Sequence, residues 1–429
     1  MLGVQAGAST PGAAPLACKS ARHMGSGMLE EEKARTLRAA LFALFVVVGV
    51  ATASWVTRTP ALRDALQAST EQMGLILFGF SLGSMAGILS ANWLVERWHA
   101  RAAIVAGMVV NLSGLALLAV GGGMASVAVV VLGFMLFGVG MGWADIAVNV
   151  EGGAIEKLQQ RPLMTTLHGC FSLGAMLGAM LGTLMAWLQV PVMHHLLGVA
   201  LVGAVLTLPV VRRVDNLSAR NSTGDATGHG GFVLSAFKDP RVLLIGLFAL
   251  GLALTEGAAH DWLPLLMVDG YQFSNAQGTL IYMLFTLGVT VVRLGGQWLL
   301  QRFSRLMLMR ASTVLAGLGL LVVIFAPHPA LGAAAVVLWG LGSALAFPLA
   351  LSAAAEGEGN SAQRVGAVAS LGYVAILVGP PALGFVGEIW GLRLAMLPVL
   401  VACCAAWVLT WYFKPQPLKL QTVHTKFEE

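Results

Sequence analysis

The chain has 429 residues, 57% of them hydrophobic and only 10% charged, with a mean hydropathy of +0.81. A soluble domain carries about a quarter charged residues, so this composition excludes a globular protein covered by water. The net charge of +5 marks membrane topology, and no nucleic-acid partner is expected.

Residues 1–36 are rich in Gly, Ala and Ser and contain no apolar core, which predicts a disordered cytoplasmic tail and not a signal peptide. Within it, Met28 followed by Glu30, Glu31 and Glu32 is a second position from which translation can begin. Apolar runs long enough to cross hydrocarbon, roughly 20 residues each, then follow at 38–57, 72–95, 102–121, 126–150, 164–187 and 193–211. A Gly- and Asn-containing stretch, 212–238, reads as a flexible cytoplasmic linker. Six more runs lie at 240–262, 277–299, 307–326, 331–355, 365–388 and 393–413, before a short polar tail, 414–429. Backbone amides in lipid need internal partners. The predicted fold class is therefore an all-α membrane protein with twelve transmembrane helices, in two six-helix bundles spanning 37–211 and 239–413.

Charge placement gives the orientation. All but four of the 25 Lys and Arg fall in the tails and in the loops on their side; Arg58, Arg63 and Arg393 lie opposite and Arg293 lies within a span. The positive-inside rule puts both termini in the cytoplasm, and the even number of spans agrees. Four cysteines, Cys18, Cys170, Cys403 and Cys404, form neither a disulfide framework nor a zinc-ligand spacing. No metal or cofactor is expected.

The two bundles echo one another. Residues 69–98 set against 274–303 share ten identities, among them Ser69/Ser274, Gln72/Gln277, Phe80/Phe285, Gly83/Gly288, Trp93/Trp298 and Arg97/Arg302. Two copies of one helical bundle with a substrate site between them is the plan of secondary transporters. Gly79, Gly83 and Gly87 in span two, and Gly174, Gly178 and Gly182 in span five, recur every fourth residue and predict close packing between neighbouring helices.

Between spans two and three the chain reads Asn92-Trp93-Leu94-Val95-Glu96-Arg97-Trp98-His99-Ala100-Arg101. With the six-plus-six layout, this segment resembles the signature of the major facilitator superfamily. Glu96, Arg97 and Arg101 match it, whereas Asn92 and His99 stand where that family has glycine. The second copy keeps Arg302 and Arg305 but has Gln301 at the acidic position. By that resemblance Glu96, Arg97, Arg101, Arg302 and Arg305 are gate residues, holding the cytoplasmic ends of the bundles together in one state and releasing them in the other. Further segments, Trp143-Ala144-Asp145-Ile146-Ala147-Val148-Asn149, Arg293 to Trp298 and Ala346-Phe347-Pro348, are similar to the fucose-permease-type sugar/proton symporters and their uncharacterised bacterial inner-membrane relatives. In that group an acid four residues before an Asn in span four is implicated in proton coupling and sugar binding, which falls on Asp145 and Asn149. The group's other acid, in span one, falls on Val56.

Charges inside a bilayer are costly and tend to be functional. Asp145 lies about two-thirds along span four with Asn149 one turn on, on the same face. A carboxyl isolated at low dielectric can load and release a proton; the alternative role for Asp145 is structural, as partner of a cation such as Arg293. Glu256, in span seven, is open between proton carrier, hydroxyl acceptor and structural carboxyl. His260 and Asp261 at the outer end of that span are substrate-binding candidates, and Arg58 could reach Asp261 across the cavity mouth. Trp55, Trp143, Trp262 and Trp339 each sit on a helix that the resemblance assigns to the cavity. Aromatic faces stack on sugar C–H faces, but Trp also collects at membrane interfaces, which is the expectation for Trp55 and Trp262. Trp143 and Trp339 are expected to line the cavity, with Tyr282 and Phe347 beside them. His168 is expected at the cytoplasmic interface.

Function follows as an expectation: a carrier of the bacterial inner membrane, monomeric and in contact with lipid, taking up a sugar or similar small polar solute with protons. The alternative is proton-driven efflux of a metabolite or drug, although the span-five Gly-Pro pattern of antiporters is missing between Gly174 and Gly182. No nucleophile–base pair is visible, so an enzyme is not expected.

Overall fold

The computed structural model describes residues 14–159, 163–214, 216–218, 236–356 and 360–413. The tail 414–429, the first thirteen residues and most of the linker lie outside them. Helices α1 (Ala14–Val56), α2 (Thr59–Leu66), α3 (Thr70–Gly123), α4 (Val127–Gln159), α5 (Met164–Trp187) and α6 (Val192–Val211) form the first half. The second comprises α7 (Pro240–Leu265) with a π-helical turn at Leu266–Gly270, α8 (Asn275–Arg302), α9 (Arg305–Phe325), α10 (Pro329–Ala355), α11 (Ser361–Trp390), α12 (Leu392–Ala395) and α13 (Leu397–Leu409). No strand occurs among the described residues.

Among the described residues, eleven helical stretches are long and apolar enough to cross a membrane. One of them, α3, has 54 residues and would measure about 81 Å if straight. It breaks at His99, whose φ of 63° and ψ of 163° turn the chain back between spans two and three. His99 stands where the signature has glycine, so the turn keeps a positive φ without the residue that adopts it most easily. Counted as two crossings, α3 brings the total to the expected twelve. At the other extreme α1 starts at Ala14, so the expected tail is helical from there; Ala-rich sequence and the run from Glu30 to Arg38 favour helix.

The sequence repeat has a physical content. Ser69 and Ser274 each accept from the backbone N–H three residues on, and Gln72 and Gln277 each reach back to the cap's own N–H, so both copies open with the same capping box. The shared Phe80 and Phe285 enter matching aromatic clusters: Phe80 with Trp55 and Phe137, Phe285 with His260 and Trp339.

Glycines set the packing within each half. A Cβ on Gly83 would lie 2.8 Å from Met135 Cα, one on Gly87 2.9 Å from Val139 Cα, and one on Gly174 or Gly178 2.9 Å from Val46 or Val50 Cα. The first stripe thus seats α3 on α4 and the second seats α5 on α1. Both stripes belong to contacts inside one half, as the packing reading expected.

Contacts between the halves run mainly along two helix pairs, α5 with α8 and the first part of α3 with α11, with smaller contacts of α1 and α2 on α7. At the end of the molecule remote from the linker, Gly74 packs against Pro381 and Gly384, Glu71 N–H donates to Glu388 at 3.1 Å, and Arg63 forms an ion pair with Asp269 while holding Asp64 at 2.8 Å. That far end is closed. At the linker end, Asn216 accepts from Arg101 N–H at 2.9 Å, and Leu217 N–H donates to Glu151 at 3.0 Å, so the start of the linker docks on the first half.

Candidate functional site in the cavity between the halves

A cavity of about 350 Å³ lies between the two halves, large enough for a small organic solute. Helix α4 turns Met141, Ala144, Asp145 and Val148 toward it, and α7 turns Ala253, Glu256, Gly257, His260 and Asp261, each set at the three- and four-residue spacing of one helix face. Most of the remaining wall is apolar and aromatic.

The two carboxylates named from sequence have different surroundings. Glu256 bonds Arg293 Nη2 at 2.6 Å and lies 3.6 Å from His260 Nε2. Arg293 is held in turn by Ala344 O and by Ser172 Oγ, both at 3.1 Å, the second from the opposite half. His260 Nδ1 meets Tyr282 Oη at 2.8 Å. Glu256 is therefore the centre of a charge network that also ties α8 to α5. Asp145 has no cation among the described residues; its one side-chain partner is Asn149, whose amide bonds the carboxylate. The alternative pairing of Asp145 with Arg293 is thereby overturned, because Glu256 occupies the guanidinium. Tyr373 on α11 brings a phenol near Asp145 from the second half. Asp261, 8% exposed, faces the cavity without an ion pair among the described residues.

Tyr282 and Phe347 line the cavity as expected, and His260 and Asp261, the substrate-binding candidates at the outer end of α7, line it too. Asn149, a substrate-binding candidate by sequence, is not on the cavity wall; its amide bonds Asp145, and its own Oδ1 is buried without a partner among the described residues. Trp143 does not line it: two residues from Asp145 is a rotation of about 200°, and its indole N–H donates to Ser90 Oγ at 2.8 Å on the opposite face of α4. Trp339 does not line it either; the ring is fully enclosed beside Phe285, and its N–H is taken by Thr255 O at 3.0 Å. Trp55 corrects the reading in the other direction. It is 2% exposed, not interfacial, and forms part of the cavity wall against Phe80 and Phe134. Trp262 is also buried and not interfacial, because α7 is enclosed by α8, α10, α11 and α13. His168 reaches the cavity wall beside Phe45, since α5 turns its first face inward. Arg58 does not reach Asp261; it turns to the carbonyl of Val190.

The residues expected to form a gate sit at the linker end. Glu96, Arg97 and Arg101 are exposed, Arg302 lies over its own Trp298 at 5.6 Å, and Arg305 pairs with Glu356 of the same half at 2.6 Å. Among the described residues none of these five forms an ion pair between the halves; the inter-half ion pair is Arg63–Asp269, at the other end. Sequence reading missed Ser84 and Tyr373 on the wall and the Arg63–Asp269 closure. The signal for the last was available: Arg63 is one of three far-side basic residues, and Asp269 is among the few acids opposite.

A repeated helical bundle folded around a cavity with ionisable walls is the architecture of a membrane carrier. The chain matches the family model of the Major Facilitator Superfamily over residues 40–358, and it belongs to that family of transporters, which are not enzymes. An uncharacterized MFS-type transporter of Yersinia pestis is 26% identical over 367 residues, covering 85% of this chain and 91% of the relative. Among solved structures, the nucleoside transporter NupG superposes with a TM-score of 0.68 at 15% identity, covering 88% of this chain and 100% of NupG. FucP in its outward conformation superposes with a TM-score of 0.61 at 18% identity, covering 88% and 99%. At those identities the likeness is one of fold.

Proposed function

We propose that this transporter moves a small polar solute by alternating access, coupled to protons through Asp145, in the inner membrane of a bacterium with both termini cytoplasmic. The observation that carries the reading is the contrast between the two carboxylates: Asp145 faces the cavity without a cation, whereas Glu256 is neutralised by Arg293. An unpaired carboxylate in low dielectric is the group that protonation most readily changes. Glu256 and His260 then position solute hydroxyls, with Tyr282 holding His260, and Glu256 links the site to the α5–α8 contact through Arg293.

Polarity of the solute is supported by the ionisable side chains on the wall, Asp145, Glu256, His260, Asp261 and Arg293. Carboxylates and an imidazole in an otherwise apolar cavity offer hydrogen-bonding groups that a hydroxylated solute can use. The solved structures of similar fold include a fucose:proton symporter and a nucleoside transporter. Efflux of a less polar compound keeps one observation in its favour, a wall that carries Met85, Met108 and Met141 beside its aromatic residues.

Reconstitution in liposomes on a solid-supported membrane tests the reading. A saturable, pH-dependent current with one member of a panel of neutral sugars, sugar acids and nucleosides is the expected result. Asp145→Asn is expected to abolish proton-driven accumulation and retain counterflow. Normal accumulation by that variant would remove Asp145 from coupling, and silence of the folded protein across the panel would favour efflux.

A further inference from the structure

The proposed cycle leaves one carboxylate on the cavity wall without a task. Asp261 lines the cavity with 8% of its surface exposed. Its side chain has no hydrogen bond or ion pair among the described residues, and its oxygens are not sealed off from the cavity.

The cations around α7 are engaged elsewhere. Arg58 donates to Val190 O, Arg63 pairs with Asp269 and Asp64, and Arg293 pairs with Glu256. Arg393 donates to Ile324 O at 2.8 Å and to Ala326 O at 2.7 Å. Helix α8 brings Tyr282, which bonds His260; α11 brings Tyr373 on the wall and Glu388, which accepts from Glu71 N–H. Helix α10 carries no ionisable side chain, and α13 carries only Cys403 and Cys404. No group on a neighbouring helix therefore offsets a negative charge on Asp261.

An enclosed carboxylate with neither cation nor donor is costly while ionised. Asp145 receives the Asn149 amide, whereas Asp261 receives nothing. A divalent cation wants about six oxygens, which one carboxylate on an apolar wall does not supply. A proton needs only one oxygen and removes the charge. Depth also separates the two acids. Asp145 lies 18 residues, about 27 Å, along α4 from its far-end start, while Asp261 is four residues, about 6 Å, from the far end of α7. Asp261 thus sits just inside the Arg63–Asp269 closure, and Asp145 nearer the linker end.

We propose that Asp261 is a second proton site, so that two protons accompany each solute; this rests on the reading of Asp145 as the first site. With the far end open, far-side hydronium gives its proton to an oxygen of Asp261. With the far end shut, as here, that oxygen returns the proton to water through the cavity. No bond of the solute forms or breaks.

Infrared difference spectroscopy of the purified full chain, titrated in deuterated buffer without solute, tests the site. Two carbonyl bands of protonated carboxyls are expected to titrate, one lost in Asp261→Asn and the other in Asp145→Asn. Asp261→Glu should keep the first band at a shifted frequency. A spectrum unchanged by both Asp261 substitutions overturns the proposal. The band lost in Asp145→Asn decides the reading of Asp145 separately, since either band can be absent without the other. In proteoliposomes at equal pH, with fucose or uridine as solute, a tenfold gradient should be balanced by about 30 mV in the wild type and about 59 mV in Asp261→Asn. A wild-type value of about 59 mV also overturns the proposal. Should neither solute be carried, or Asp261→Asn fail to fold, the spectra of the wild type and Asp261→Glu still decide.

Discussion

Replacing Glu256 by Gln asks whether the Glu256–Arg293 pair holds the cavity together. The two side chains are 15% and 18% exposed, with N···O at 2.6 Å. Charge centres roughly 4 Å apart attract by about 4 kcal/mol at an effective dielectric near 20, and removing one member of a buried pair costs about 3–5 kcal/mol because the other charge is left without a partner. Arg293 keeps its bonds to Ala344 O and Ser172 Oγ, which places Glu256→Gln at the lower end, about 3 kcal/mol. At about 2.1 cal/mol/K per residue of unfolding entropy, a chain of this length loses about 3 °C in Tm. The assay is thermal unfolding in detergent for Glu256→Gln, Arg293→Gln and the double variant. The double variant has no stranded charge, so it should recover at least half of the loss suffered by Glu256→Gln. Full stability in Glu256→Gln, with no gain in the double variant, would refute the reasoning and return Glu256 to the list of free proton carriers.

Three further outcomes are expected. Asp269→Asn removes the charge that Arg63 reaches across the far end; a partly exposed pair of this kind contributes about 1 kcal/mol, so the open population at that end should rise roughly fivefold, read as cysteine labelling from the far side, and unchanged labelling would show the pair idle. Gly83→Val drives a side chain into the Met135 backbone and should cost about 1–3 kcal/mol or more, seen as lost folded yield, whereas Gly295→Ala, with nothing within 4 Å of the added atom, should be neutral or stabilising. Ser69→Ala and Ser274→Ala each delete half of a capping box and should each lower stability by about 1 kcal/mol; a loss in one copy only would mean that the repeat is not functionally symmetric.

Where sequence reading succeeded, local periodicity was enough. Asp145, His260, Asp261, Tyr282 and Phe347 were named because polar or aromatic residues in an apolar span stand out, and all five reach the cavity wall. The two glycine stripes declared close packing, and each lies against a neighbouring backbone. Where it failed, the missing information was the rotation of a helix about its axis. Trp143 was grouped with Asp145 although 200° of helix separates them, and Trp339 was assigned to the wall although Thr255 O captures its N–H from inside the bundle. Trp55 was read as interfacial from its position near a span end, but α2, folding back after Arg58, leaves it well below the surface.

Sequence by itself determined the class of molecule, the number of crossings and the repeat, because hydrocarbon thickness and backbone hydrogen bonding act on contiguous residues. It also named the ionisable groups in the spans, because a charge in an apolar run is visible without a fold. Only the tertiary structure decided which of them are neutralised. Arg293 could have served Asp145 or Glu256, and the choice rests on how α8 is set against α7 and α5; likewise Arg63 and Asp269, 206 residues apart, meet only once the halves have closed at the far end. Pairing depends on distances of a few ångströms between helices, and nothing in the order of residues along one helix encodes where the next helix stands.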